Sequence, residues 1–144
     1  MGDLSRNLSR SEMACACGCG FDTVDGKLGE ALQSCVDYLA DKTRLDIRLD
    51  VRGGNRCRKH NDFLRELFEE SGGKRGAKTA VESQHIYGRG ADVKLFFSQS
   101  GEQVPPHMVA AYFESCGDLS VGRYMNRTHV DTRTNGGKRW GGGL

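Results

Sequence analysis

Leu28, Ala31, Leu32, Cys35, Val36 and Leu39 recur at steps of three and four. That stripe predicts an amphipathic helix over roughly 26–43. The period then changes to two. Leu45, Ile47, Leu49 and Val51 alternate with Asp46, Arg48, Asp50 and Arg52 until Gly53-Gly54 ends the run, the pattern of a strand with one buried face. Phe63, Leu64, Leu67 and Phe68 mark a second helix starting near Lys59, and the Gly-rich, basic stretch from Ser71 to Ala80 reads as an exposed loop. A further strand is expected over 91–97. A third helix starts at Pro105-Pro106, carries Met108, Val109, Tyr112 and Phe113, and closes at Gly117. Short strands over 119–124 and 128–133 precede a Gly-rich tail. Residues 1–13 are polar and rich in Ser and Arg, which predicts a flexible N-terminal arm. Residues 14–144 are expected to form a single domain. The order of elements predicts an α+β fold, a small, mainly antiparallel sheet with flanking helices.

Composition narrows the classes. A chain of 144 residues is long enough for one core and too short for a second catalytic domain. No run of 18 apolar residues occurs, so a membrane-spanning helix and a membrane partner are not expected. The start, MGDLSRNLSRSEM, lacks the apolar stretch of a secretory signal, so synthesis in the cytoplasm without a signal peptide is expected. A formal charge of +2 at pH 7 makes too weak a field to argue for nucleic acid, and no aromatic stacking platform is evident.

Two of the four His residues sit in unusual company. His85 precedes Asp92 by seven positions, with Gly88 and Gly90 between them to permit a tight turn. His129 follows 37 residues after Asp92, on an expected strand. Two imidazoles and a carboxylate make a three-ligand set for zinc, with a fourth position left for water, as a catalytic site requires. His60 and His107 read as structural. Of the six Cys, Cys15, Cys17 and Cys19 alternate singly. Structural zinc sites use Cys-x-x-Cys pairs, so packing of mostly reduced thiols is expected there, or an occasional disulfide with Cys35, Cys57 or Cys116.

Four segments together resemble the zinc peptidases of the D-Ala-D-Ala carboxypeptidase and murein endopeptidase family, whose metal-site scaffold is shared with hedgehog signalling domains. Ser83-Gln84-His85-Ile86-Tyr87-Gly88-Arg89-Gly90-Ala91-Asp92 is similar to the family's Ser-x-His-x-x-Gly-x-Ala-x-Asp, with Gly90 at the family's Ala. His129-Val130-Asp131 matches its His-Val-Asp element. Gly53-Gly54-Asn55-Arg56-Cys57-Arg58-Lys59-His60-Asn61 resembles Ser-Gly-Tyr-Arg-Cys-x-x-His-Asn, with Gly54-Asn55 at the family's Gly-Tyr. Cys15 to Gly20 resembles the Cys-rich lead-in of short members. The matches run in family order from Cys15 to Trp140.

The resemblance implies zinc held by His85, Asp92 and His129, and Arg56 binding a substrate carboxylate or carbonyl through its two-pronged donor. Ser83 is implied to bind substrate or to form the ligand turn. Some members carry a carboxylate three residues before the last ligand. Here that position is Asn126, which cannot take a proton from water. Asp131, two residues beyond His129 and facing the same side of the strand, is the candidate catalytic base, or else supports the ligand. The implied function is hydrolysis of a peptidoglycan stem-peptide bond next to a D-amino acid. The enzyme would act as a monomer at the bacterial cell wall, after release or as part of a virion, in the manner of a phage or prophage endolysin. A non-catalytic, zinc-stabilised wall-binding or virion structural module is the alternative.

Overall fold

The computed structural model describes residues 2–74, 83–133 and 136–141. Helices α1 (Arg10–Met13), α2 (Gly26–Thr43), α3 (Arg58–Glu70) and α4 (Pro106–Ser115) flank strands β1 (Ile47–Gly53), β2 (Gly90–Phe97), β3 (Ser120–Arg123), β4 (Thr128–Asp131) and β5 (Arg139–Gly141). The strands form one sheet in the order β1-β2-β4-β3-β5. Three pairings are antiparallel and β3–β5 is parallel, so the fold is a small α+β arrangement on a mostly antiparallel sheet.

α2 follows the sequence pattern. Asp25 caps its start by accepting from the Lys27 N–H, and Arg44 closes it in the left-handed conformation. Leu28, Leu32, Cys35, Val36 and Leu39 form its buried stripe. They pack with Val109, Ala110 and Phe113 of α4 and with Ile47, Leu49, Ala91, Val93, Leu95, Val121 and Val130 of the sheet in one core. Because side chains alternate along a strand, the residues between these, Asp92 on β2 and His129 and Asp131 on β4, project from the opposite face.

Three expectations change. Residues 2–13, read as a flexible arm, pack on the domain: Leu8 and Met13 have no exposed surface and belong to the core. Two apolar side chains among polar neighbours were enough to anchor the segment. The stripe on α3 is only partly covered, with Phe63 54% exposed. The Gly-rich tail contains β5, which the sparse apolar content of 136–141 did not announce. Beyond Lys74 the expected loop over 71–80 lies outside the described residues, as do 134–135 and 142–144 of the tail. Among the described residues no helix is long and apolar enough to cross a membrane.

Candidate metal centre

The strand registers place Gly53, Asp92, His129, Gly122 and Trp140 in one transverse row across the sheet. The row has a Gly at two of its five places, and both make room. A Cβ on Gly53 would lie 3.1 Å from the Asp92 carboxylate, and one on Gly122 would lie 2.5 Å from the Trp140 indole nitrogen. Trp140 therefore folds over β3, its ring 5.1 Å from that of His129 between centroids. Its N–H donates to the Tyr124 hydroxyl at 3.1 Å.

His85 comes from a 3-10 turn, Gln84–Tyr87, rather than from the sheet. Ser83 caps that turn, its hydroxyl accepting from the His85 N–H at 3.3 Å. Gly88 ends the turn with φ of 68°, and a Cβ there would lie 2.4 Å from the Thr23 carbonyl oxygen. A side chain at that position would be excluded on both counts. The turn delivers a buried imidazole whose Nδ1 lies 2.6 Å from the Gly54 carbonyl oxygen. A carbonyl only accepts, so Nδ1 carries the proton and Nε2 keeps its lone pair. Nε2 faces Asp92 Oδ2 at 3.6 Å.

His129 is held in the same way by a different acceptor. Its Nε2 donates to Asp131 Oδ2 at 2.8 Å, which leaves Nδ1 beside Asp92 Oδ1 at 2.9 Å. One nitrogen on each ring is thus fixed by the protein while the other converges on a carboxylate, the arrangement in which outer acceptors orient metal-ligating imidazoles. Ligand atoms of His85, Asp92 and His129 all lie within 4.8 Å of one another, and the three could hold a metal ion. Burial opposes charge on His129, but hydrogen bonds to Asp131 and Asp92 outweigh it and raise the pKa above the ordinary imidazole value. For His85 burial prevails and lowers it. Burial would raise Asp92, yet its contacts with His129 and His85 hold it well below the usual carboxylate range.

An open groove of about 520 Å³ runs beside this centre, lined among others by Glu12, Gly54, Arg56, His60, Asp92 and Arg127. Arg56 reaches Ser83 Oγ through its guanidinium at 3.1 Å. The two residues singled out for substrate binding are therefore bonded to each other. Ser83 is buried and committed to the turn, whereas Arg56 is half-buried on the groove wall.

Asp131 lies on the far ring nitrogen of His129 from Asp92, fully buried. Arg133 donates to both of its oxygens, at 2.8 and 2.6 Å. Burial raises its pKa, but these bonds and that of His129 bring it down to about 2. A carboxylate so engaged orients His129; of the two roles open to Asp131, the geometry favours support over proton abstraction. Asn126 is exposed, and its carbonyl accepts from Gln103 at 2.8 Å.

Several contributors carry no signal in residue type or spacing. The Gly54 carbonyl acts through the backbone, Arg133 is one of many basic residues until it closes on Asp131 two positions before it, and Arg127 is another until its place just ahead of β4 brings it to the groove. Trp140 carried a signal as the only Trp of the chain. The Cys expectation also changes: Cys57 joins Cys15, Cys17 and Cys19, and these four could hold a metal ion as a second group. All six Cys are free thiols. Comparison with models of known protein families and with characterised proteins found no match to this chain.

Proposed function

We propose that this chain is a zinc-dependent peptidase acting on peptidoglycan stem peptides, cutting a bond next to a D-amino acid. The observation that carries the reading is the convergence of His85 Nε2, His129 Nδ1 and the Asp92 carboxylate beside a groove that also holds Arg56. Two nitrogens and one carboxylate oxygen are a hydrolytic zinc donor set, with one position left open. Zinc bound there would supply an acidified water and polarise the scissile carbonyl.

The remaining work falls to side chains. Arg56 and Arg127 offer two cations on the groove wall, suited to the carboxylates that stem peptides carry at their D-residues. The Arg56–Ser83 bond fixes the guanidinium before substrate arrives, which reduces the ordering cost of binding. Trp140, held by its bond to the Tyr124 hydroxyl, packs beside the His129 ring. With Asp131 engaged by Arg133, the groove side chains of acid–base type besides Asp92 are Glu12 and His60.

The resemblance of the four motifs to the D-Ala-D-Ala carboxypeptidase and murein endopeptidase family supports this substrate class. The protein would act at the bacterial wall, in the manner of a phage endolysin. Incubating the zinc-loaded protein with purified muropeptides, followed by mass spectrometry, should show a cleaved stem peptide and name the bond. The absence of a free carboxylate at position 126 favours a second reading, a zinc-stabilised wall-binding module. A zinc-loaded protein that binds wall sacculi but cuts no muropeptide from acid to alkaline pH would establish that one instead.

A further inference from the structure

The four clustered thiols are drawn from two places far apart in the chain. Cys15 Sγ lies 3.4 Å from Cys17 Sγ and 3.9 Å from Cys57 Sγ, and Cys17 Sγ lies 3.6 Å from Cys57 Sγ. Cys19 completes the group, all four sulfurs lying within 4.8 Å of one another. These separations exclude a disulfide, whose sulfurs sit ~2.05 Å apart. They agree with a tetrahedron of thiolates about zinc, in which Zn–S bonds of ~2.3 Å give sulfur–sulfur edges of ~3.8 Å.

The surrounding backbone is built for negative sulfur. Cys57 is the N-cap of α3, and its Sγ accepts from the His60 N–H at 3.4 Å, at the end of the helix where the peptide dipoles favour an anion. The Cys57 N–H in turn donates to Cys15 Sγ at 3.4 Å. On the other side the chain doubles back: the Gly18 N–H donates to the Cys15 carbonyl at 3.1 Å and the Cys15 N–H to the Phe21 carbonyl at 2.8 Å. Gly18 and Gly20 adopt φ of 82° and 90°. Two glycines in the left-handed region let alternate cysteines turn their sulfurs to one point, which explains why single spacing serves here in place of Cys-x-x-Cys pairs.

We propose that Cys15, Cys17, Cys19 and Cys57 bind a structural zinc ion that fastens the N-terminal segment to the loop between β1 and α3. On binding, the four thiols release their protons and all four zinc positions are filled by sulfur, so this ion has no open position for chemistry. The clamp acts on the groove through the next residues along the chain. Asn55 N–H donates to the Met13 carbonyl at 2.8 Å, and Gly54, whose carbonyl orients His85, packs so closely on Met13 that a Cβ would lie 2.7 Å from its carbonyl oxygen. Cys57 is also the neighbour of Arg56. The proposal does not depend on what the groove binds or cuts.

Cobalt(II) tests it, because cobalt–thiolate coordination gives an intense sulfur-to-metal charge-transfer band that a site of two imidazoles and a carboxylate cannot produce. The full chain loaded with cobalt should show that band. His85→Ala should keep it, and Cys17→Ser, at an exposed position, should weaken it while leaving the fold intact. In zinc analysis, His85→Ala should retain one equivalent, and stripping that zinc with a chelator should expose four further thiols to labelling and the segment around Cys15 to proteolysis. A cobalt-loaded wild-type chain without the band would overturn the proposal. So would thiols that label equally fast with and without zinc, or an intact mass showing these cysteines oxidised to disulfides in the purified protein.

Discussion

His129 and Asp131, two residues apart on β4, meet through a single hydrogen bond of 2.8 Å from Nε2 to Oδ2. Asp131 occupies Nε2, so Nδ1, which faces Asp92 Oδ1 at 2.9 Å, is the ring atom that could meet a metal. Arg133 holds the carboxylate from behind, so imidazole orientation is set three groups deep.

Asp131→Asn should therefore act on metal affinity. Loss of the carboxylate partner should weaken zinc binding at the His–Asp centre by about 10- to 100-fold, read by competition against a chromophoric chelator. Unchanged affinity combined with lost turnover would return Asp131 to the role of base.

Arg56→Ala should leave zinc content and fold nearly intact while lowering kcat/KM on stem peptides by about 10- to 100-fold, the worth of a charge-assisted hydrogen bond to substrate. Arg56→Lys should not restore it, since a lysine cannot make two parallel bonds to one carboxylate. Equal activity of wild type and Arg56→Ala on muropeptides would remove Arg56 from the binding surface.

Gly122→Ala should push Trp140 off β3, because the added methyl would stand 2.5 Å from the indole nitrogen. The cost should be about 1–3 kcal/mol of stability, as for other overpacked sites. Trp140 is the only Trp, so the fluorescence of the chain reports its position directly. An emission spectrum matching wild type would mean that the indole does not rest there.

Glu114 gives the pH prediction. Arg123 grips its carboxylate through two bonds of 2.9 and 2.7 Å, which places the pKa below the ordinary 4.5. A carboxyl with a depressed folded pKa stabilises the native state above its unfolded value and loses that contribution as pH falls. The wild-type chain should lose about 1 kcal/mol through this pair on acidification below pH ~4.5. Glu114→Gln should be less stable by that amount at neutral pH and equal to wild type in acid, as measured by urea melts at several pH values.

The helix over 26–43 and the strands about Val51, Val93 and Val130 could be read from the chain because one-sided burial writes a period of 3.6 or 2 into the sequence. The candidate metal group could be read because His85, Asp92 and His129 stand in a recognisable pattern, and the fold brings their ligand atoms within 4.8 Å of one another. What could not be read is contact between segments that share no period. Cys57 reaches Cys15 across 42 residues, and the Gly54 carbonyl reaches His85 across 31. A backbone carbonyl has no signature in residue type at all. Leu8 and Met13 were hidden for another reason: two apolar residues five apart are too few to show periodicity, though enough to anchor a segment.

Four consecutive residues after β1 each serve a different neighbour: the Gly54 carbonyl holds His85, the Asn55 N–H holds Met13, the Arg56 guanidinium holds Ser83 and the Cys57 sulfur joins the thiols. This makes the length of the stretch as consequential as its composition. One inserted residue would carry one cluster away from the other by about 3.8 Å, farther than any ligand atom can drift and still bind. Substitutions here subtract one contact at a time, whereas an insertion or deletion separates the two clusters in a single step.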